Sequence, residues 1–149
     1  MTGFSFEHLY SEQVIFCVRA GHPLLLGGSD LFGELERYPV LMPTRASIIR
    51  PFVERFLIAN GISGIPTQIE TVSDSFGRAF VRQTDAIWII SAGVVATDLA
   101  DGTLAALPID TSETKGPVGL TVRADSVPSM PLALLMRTIR EAAADVANA

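Results

Sequence analysis

The sequence has few of the residues that bind metals or act as catalytic nucleophiles. Its 149 residues include one cysteine, Cys17, and two histidines, His8 and His22. A metal site needs several such ligands close together, so we expect none. Cys17 lies in an apolar run and is expected to be a small buried residue, and His22 beside Pro23 is expected to be solvated in a turn. No GxGxxG or GxxxxGK[ST] motif occurs, and no cofactor is expected.

Cationic side chains are also scarce, with 11 Lys and Arg against 16 Asp and Glu, and the formal net charge is −5. They are scattered along the chain, so this chain alone is not expected to bind nucleic acid tightly. No apolar run approaches the roughly 18 to 20 residues that cross a bilayer. The first residues have neither the basic segment nor the apolar stretch of a signal peptide, which predicts a cytoplasmic protein without membrane attachment.

Short apolar runs alternate with segments of helical periodicity. Six strands are predicted, at Val14–Arg19, Val40–Met42, 67–72, 86–90, 104–109 and 118–123. This alternation predicts an α/β fold with a mostly parallel sheet flanked by helices. A loop is predicted over 111–117. The first predicted helix follows a cap at Ser29 or Asp30 and ends at Tyr38, and the second spans 48–59. The third spans 75–83 after a cap at Ser73 or Asp74, with Phe76, Ala79 and Phe80 facing inward. The fourth runs from a cap at Ser91 to Asp101-Gly102, and the fifth follows a cap at Ser129 and has an apolar stripe of Leu132, Leu135, Met136 and Ile139.

Several predicted helices begin where a strand ends. In open α/β sheets, ligands gather beyond the carboxyl ends of the strands, and helix N-termini favour anions. Thr44, Arg45 and Ser47 follow one strand, and the segment from Ser73 to Phe76 follows the next. The guanidinium of Arg45 can hold a carboxylate through two hydrogen bonds. These residues are candidates for binding a small carboxylate, although each cap also has a purely structural explanation and Arg50 is expected to be a solvated charge.

A hydrolase is the catalytic alternative, because it needs a serine at a sharp strand-to-helix turn together with a histidine and an acid. Ser91 does follow a buried strand. Ile89, however, stands where the nucleophile turn of hydrolases has glycine. A helix cap is therefore the favoured role of Ser91, and no catalytic residue is assigned.

Several segments resemble the effector-binding domain of LysR-type transcriptional regulators. The resemblance is carried by HLYSE at 8–12, VIFCVRAGHPL at 14–24, DL at 30–31, YPV at 38–40 and PTRASIIR at 43–50. Within that family, three further segments are similar to the branch that regulates aromatic-acid catabolism through protocatechuate. They are TVSDSFGR at 71–78, DAIWIIS at 85–91 and GPVGLT at 116–121.

The resemblance implies two lobes of the type 2 periplasmic-binding-protein fold, with an acidic effector between them. Residues 1–149 are then a fragment of that domain, with 13–110 as lobe two and with 1–12 and 111–149 as the crossover and part of lobe one. The family's effector contacts fall on the loop 43–47 and on the strand end near Thr71 and Ser73, beside the crossover at 116–119. DNA is then bound only by a helix-turn-helix domain outside this sequence, and homo-oligomers are implied. A solute-binding protein for uptake is the alternative.

Overall fold

The structure is a computed structural model that describes residues 3–28 and 30–149. Chain contacts group these residues into two compact units, Gln13–Thr114 and the residues up to Glu12 together with Lys115–Ala149. The assignment of these units to two lobes stays a prediction. The strands are β1 (Phe4–Glu12), β2 (Val14–Arg19), β3 (Val40–Met42), β4 (Gln68–Glu70), β5 (Ile87–Ser91), β6 (Leu104–Ala106) and β7 (Gly116–Arg123), and the helices are α1 (Leu31–Glu34), α2 (Arg50–Ala59), α3 (Asp74–Gln83), α4 (Ala96–Asp101) and α5 (Met130–Ala147).

The unit Gln13–Thr114 contains a five-stranded sheet in the order β4-β3-β5-β2-β6. β3 pairs in parallel with β4 and with β5, whereas β2 pairs antiparallel with β5 and with β6. Four of the strands therefore run in one direction, and β2 runs against them. The predicted α/β class is therefore confirmed, and the sheet is mostly parallel because four of its five strands share one direction.

Side chains of the sheet alternate between two cores, as the period of two along a strand requires. Phe16 and Val18 of β2 face one core, and Cys17 between them faces the other. Helix α2 closes the first core through Val53, Phe56 and Leu57. Val81 of α3 and Val95, which precedes α4, belong to the second core. Helices thus cover both faces of the sheet, and the prediction that Cys17 is buried is confirmed.

The second unit is an antiparallel strand pair packed against a helix. β1 pairs with β7 from Phe4 opposite Arg123 to Glu12 opposite Gly116, and α5 packs on β1. The prediction that Ser129 caps α5 is confirmed, because its side chain accepts a hydrogen bond from the Leu132 N–H. The predicted apolar stripe is only partly buried. Met136 is buried, whereas Leu132 and Leu135 are exposed.

The apolar runs place six of the seven described strands but not all of their ends, and β1 is not among the predicted strands. β4 and β6 are shorter than the predicted 67–72 and 104–109, and α2 begins two residues later than predicted. Asp30 caps α1 by accepting the Gly33 N–H, and Ser29 lies outside the described residues. Gly102 ends α4 as predicted, in a left-handed conformation with φ of 77°.

The segment 111–117, predicted as a loop, contains a 3₁₀ turn at Ser112–Thr114 and the first residues of β7. Thr111 and Thr114 are buried. The Val14 N–H donates to the hydroxyl oxygen of Thr114, and the Thr111 hydroxyl donates to the carbonyl of Val14. Two threonine hydroxyls therefore form hydrogen bonds with the N–H and the carbonyl of Val14, the first residue of β2, in place of a neighbouring strand.

His22 is fully buried, so its predicted solvation is wrong. Its Nδ1 accepts the Leu24 N–H at 3.0 Å, which places the ring proton on Nε2. Nε2 then donates to the carbonyl of Asp85 at 2.9 Å. A histidine with both nitrogens bonded satisfies its polar atoms in the core, where the ring also packs on Tyr38.

Within residues 3–28 and 30–149, no helix has the length and apolar character that a membrane span requires. The same residues contain no group of three or more His, Cys, Asp or Glu side chains that could hold a metal ion.

Burial raises the pKa of the Cys17 thiol to about 12. The thiol is therefore protonated in mildly alkaline buffer, and protonated thiols are poor nucleophiles. We expect Cys17 not to react with Ellman's reagent in the native protein and to react fully in concentrated guanidinium chloride. Subtracting the signal of a Cys17→Ala variant isolates this thiol. Native labelling at the rate of the denatured protein would contradict the burial of Cys17.

Candidate functional site

Three strand ends meet at one edge of the sheet in the unit Gln13–Thr114. β3, β4 and β5 are parallel neighbours, so their carboxyl ends lie side by side. A pocket of about 220 Å³ lies at this edge. Its walls come from the loop after β3, from the residues between β4 and α3, and from β5. The lining residues are Pro43, Ser47, Ile49, Thr71, Val72, Ser73, Asp74, Trp88, Ile90 and Ser91.

The pocket brings together some of the residues that the sequence singled out, but not all of them. Ser47, Thr71 and Ser73 line it, and Ser91 joins them from the end of β5. Thr44, Arg45 and Phe76 are not among its lining residues. The candidates for effector binding in this pocket are therefore four hydroxyl side chains.

Turns use two of the N–H groups from the end of β3 to the start of α2. The Ser47 N–H donates to the carbonyl of Thr44 at 2.9 Å, and the Arg50 N–H donates to the carbonyl of Ser47 at 3.2 Å. Two successive turns therefore precede α2 and use these amides. Pro51, in the first turn of α2, contributes no N–H. The Ser47 side chain, in contrast, makes no hydrogen bond to another described residue.

Arg45 and Phe76 do not line this pocket, and their predicted contacts with an effector stay a prediction. The Arg45 side chain is 85% exposed, and its Nε lies 4.0 Å from Oε1 of Glu70. An exposed pair at this distance contributes little. Phe76 and Ala79 are exposed, so the predicted inward face of α3 is wrong for them; the ring of Phe76 stacks on Phe80 with centroids 5.4 Å apart. The buried residues of α3 are Gly77 and Val81.

The start of α3 presents several donors to the pocket. Ser73 is the cap, and its hydroxyl oxygen accepts the Phe76 N–H at 3.2 Å. The hydroxyl oxygen of Thr71 accepts the Ser73 N–H at 3.0 Å. Because both oxygens serve as acceptors, both hydroxyl hydrogens stay available for a ligand. The N–H groups of Asp74 and Ser75 have no acceptor within the helix, as is general for a first turn.

Ser91 does not cap the helical segment that follows it, so its predicted capping role is wrong. The segment Ala92–Val95 is a 3₁₀ turn, and the Ser91 side chain makes no capping bond. The hydrolase alternative also needs a histidine base. Both ring nitrogens of His22 are already bonded within the core, and His8 bonds to the Ser11 hydroxyl in β1.

Arg50 is buried, so the expectation that it is a solvated charge is wrong. It is only 6% exposed. Its Nη1 donates to the carbonyl of Pro43 at 2.7 Å and to Glu70 at 3.0 Å, and its Nε donates to Glu54 at 2.8 Å. The guanidinium therefore joins the end of β3, the end of β4 and the first turn of α2. The signal in the sequence is the Arg50–Glu54 spacing of four residues.

Comparison with protein families gives a direct match. Residues 1–144 match the model of the LysR substrate binding domain. The chain is 68% identical over 146 residues to the HTH-type transcriptional regulator PcaQ of Agrobacterium fabrum, a match that covers 98% of this chain and 47% of PcaQ. The chain thus spans about half the length of the curated relatives it matches.

Solved structures show the same fold. The regulatory domain of CcmR from Synechocystis in complex with 2-PG matches with a TM-score of 0.70 at 15% identity, covering 95% of this chain and 67% of that one. The effector binding domain of QuiR in complex with shikimate matches with a TM-score of 0.67 at 18% identity, covering 93% of this chain and 64% of that one. At these identities, the likeness shows the fold alone.

The contacts of Arg50 predict a large stability effect. Replacement by Met in Arg50→Met removes three charge-assisted hydrogen bonds but keeps much of the apolar stem. Because Glu54 and Glu70 are partly solvated, we expect a loss of about 2 kcal/mol in the free energy of unfolding, below the roughly 3–5 kcal/mol that breaking a fully buried ion pair costs. Urea unfolding measures this loss. Arg37→Met, which breaks the exposed pair with Glu34, should cost at most about 1 kcal/mol. Equal losses would show that the burial of Arg50 has no energetic role.

Proposed function

The chain belongs to the LysR substrate-binding domain family, and we propose that the effector it senses is a small carboxylate, an acidic intermediate of aromatic catabolism. The observation that supports the proposal is the convergence of hydroxyl groups on one pocket. Ser47, Thr71, Ser73 and Ser91 come from three different strand ends and line the same cavity. Hydroxyl and backbone N–H donors at such an edge are the groups that bind a carboxylate without a metal ion.

The pocket also has an apolar wall. Trp88 and Ile90 of β5 line it beside the hydroxyls. A ligand with a carboxylate and an unsaturated carbon skeleton satisfies both kinds of surface, because its acid group takes the donors and its carbon atoms cover the indole. A volume of about 220 Å³ is suited to a metabolite and not to a peptide. The 68% identity to PcaQ supports an aromatic-acid pathway through the resemblance described above.

We infer that Gln13–Thr114 is lobe two of the effector domain and that the other unit is the crossover with part of lobe one. The second wall of the effector site then comes from parts of the protein outside this chain. In the full-length regulator, a helix-turn-helix domain binds DNA in the cytoplasm, and homo-oligomers carry the signal. A hundredfold preference of the ligand for one lobe arrangement requires about 2.7 kcal/mol, which a few charge-assisted hydrogen bonds supply.

An uptake solute-binding protein has the same lobes, but the comparisons give it no support. The family match is to a LysR domain, and the relative with 68% identity is a transcriptional regulator. The regulator is therefore the one function proposed.

Calorimetric titration of the full-length protein with acids of aromatic pathways, protocatechuate among them, tests the proposal. We expect at least one acid to bind at submillimolar concentration and its neutral methyl ester to bind at least about tenfold more weakly, because the donors favour the charged group. The ester is the matched control for the carbon skeleton. Failure of every acid to bind at millimolar concentration would contradict the proposal.

Ser47 gives the sharpest test of the pocket itself. Its hydroxyl lines the cavity and has no other partner among the described residues, so Ser47→Ala should leave the fold intact. We expect this variant to weaken binding of the acid by about 10-fold or more, the effect of losing one hydrogen bond to a charged group.

Thr44→Ala is the matched control for Ser47→Ala, because Thr44 lies in the same loop but does not line the pocket. We expect its affinity to stay within about twofold of the unmodified protein, a difference well below that of one hydrogen bond. Equal effects of the two substitutions would show that the ligand binds elsewhere.

A further inference from the structure

Gly77 of α3 lies directly against the indole ring of Trp88. A Cβ atom placed on Gly77 would stand 2.5 Å from Cζ2, 2.7 Å from Cε2 and 2.9 Å from Cη2 of that ring. Non-bonded carbon atoms prefer separations of about 3.5 to 4.0 Å. No side chain therefore fits at position 77 unless either the helix or the indole moves.

Both partners of this contact are held by other contacts. Trp88 is buried in the second core, where Leu41 of β3 and Val81 of α3 belong to the same cluster. Helix α3 is held at one side by Arg78, whose Nε donates to Asp98 at 2.9 Å. Protein interiors are closely packed, so a forced displacement is passed on to neighbouring groups.

The neighbouring groups here are the walls of the candidate pocket. Trp88 lines the pocket from β5, and Ser73 and Asp74 line it from the start of α3, one turn before Gly77. The distance between α3 and the indole therefore sets the width of the pocket between these two walls.

We propose that Gly77 is a positioning residue for effector binding: its lack of a side chain lets α3 lie directly on Trp88, which sets the spacing between two walls of the pocket. The inference rests on the proposed function and adds to it a residue that fixes the spacing of the pocket walls. Gly77 itself does not touch the ligand, and it acts through Trp88 and the Ser73 hydroxyl.

Helix propensity alone predicts that a substitution of Gly77 is favourable, whereas the contact with Trp88 predicts that it is harmful. Glycine inside a helix is unfavourable relative to alanine, so Gly77→Ala should strengthen α3 if propensity alone decided the outcome. If Gly77→Ala nevertheless loses affinity for the acid, the contact with Trp88 is the cause. Gly64 provides the matched control, because a Cβ there has no atom within 4 Å and its backbone does not need glycine.

The test uses the full-length protein, with protocatechuate as the first probe and the other acids of the calorimetric panel after it. We expect Gly77→Ala to weaken binding of the acid at least about tenfold and Gly64→Ala to change it by less than about twofold. The near-ultraviolet circular dichroism of the indole should change in Gly77→Ala only. Replacing the indole by a smaller ring, as Trp88→Phe in the Gly77→Ala background, should recover part of the lost affinity.

The outcomes separate the two proposals. If no acid binds the unmodified protein, the proposed function and this inference both fail. If an acid binds and Gly77→Ala binds it equally well, with an unchanged indole spectrum, only the inference fails. Should Gly77→Ala not fold, Trp88→Phe with Gly77 retained removes the same contact from the other side and must also weaken binding; unchanged affinity in that variant overturns the inference.

Discussion

The buried guanidinium of Arg50 holds the candidate site together. A buried charge is tolerated only where its hydrogen bonds are made, and Arg50 makes them to Pro43, Glu54 and Glu70. These partners lie in the loop after β3, in α2 and at the end of β4. The loop that carries Ser47 is thereby fixed at both of its ends, so the Ser47 hydroxyl reaches the same pocket as the hydroxyls that precede α3.

Much of the fold follows from apolar patterning along the chain. Runs such as Val14–Arg19 and Val40–Met42 are strands in the structure because short, continuous apolar segments suit a strand that is buried on both faces. The cap at Ser73 follows equally from local chemistry. The meeting of Ser47, Thr71 and Ser73 follows from topology, because parallel neighbouring strands place their carboxyl ends at one edge.

The remaining features depend on partners that are distant in sequence. β1 has the alternation of a strand in Phe4, Phe6 and Tyr10, but its partner β7 lies more than 100 residues away. His22 is buried where the carbonyl of Asp85 accepts a hydrogen bond from its ring, and Arg50 of α2 is buried where Glu70 at the end of β4 accepts one from its guanidinium. α2 begins at Arg50 and not at residue 48 because two turns precede it, and the apolar pattern that starts at Ile48 does not reveal them.

Among the described residues that line the pocket, Asp74 is charged and no arginine or lysine is present. This wall therefore acts on an acid through fixed dipoles, whose influence ends within a few ångströms. The chain as a whole carries a formal charge of −5, so at larger distances it repels an anion. Added salt screens that repulsion over about 10 Å at 0.1 M ionic strength. Capture of an acidic metabolite by this wall should accordingly become faster, not slower, as ionic strength rises.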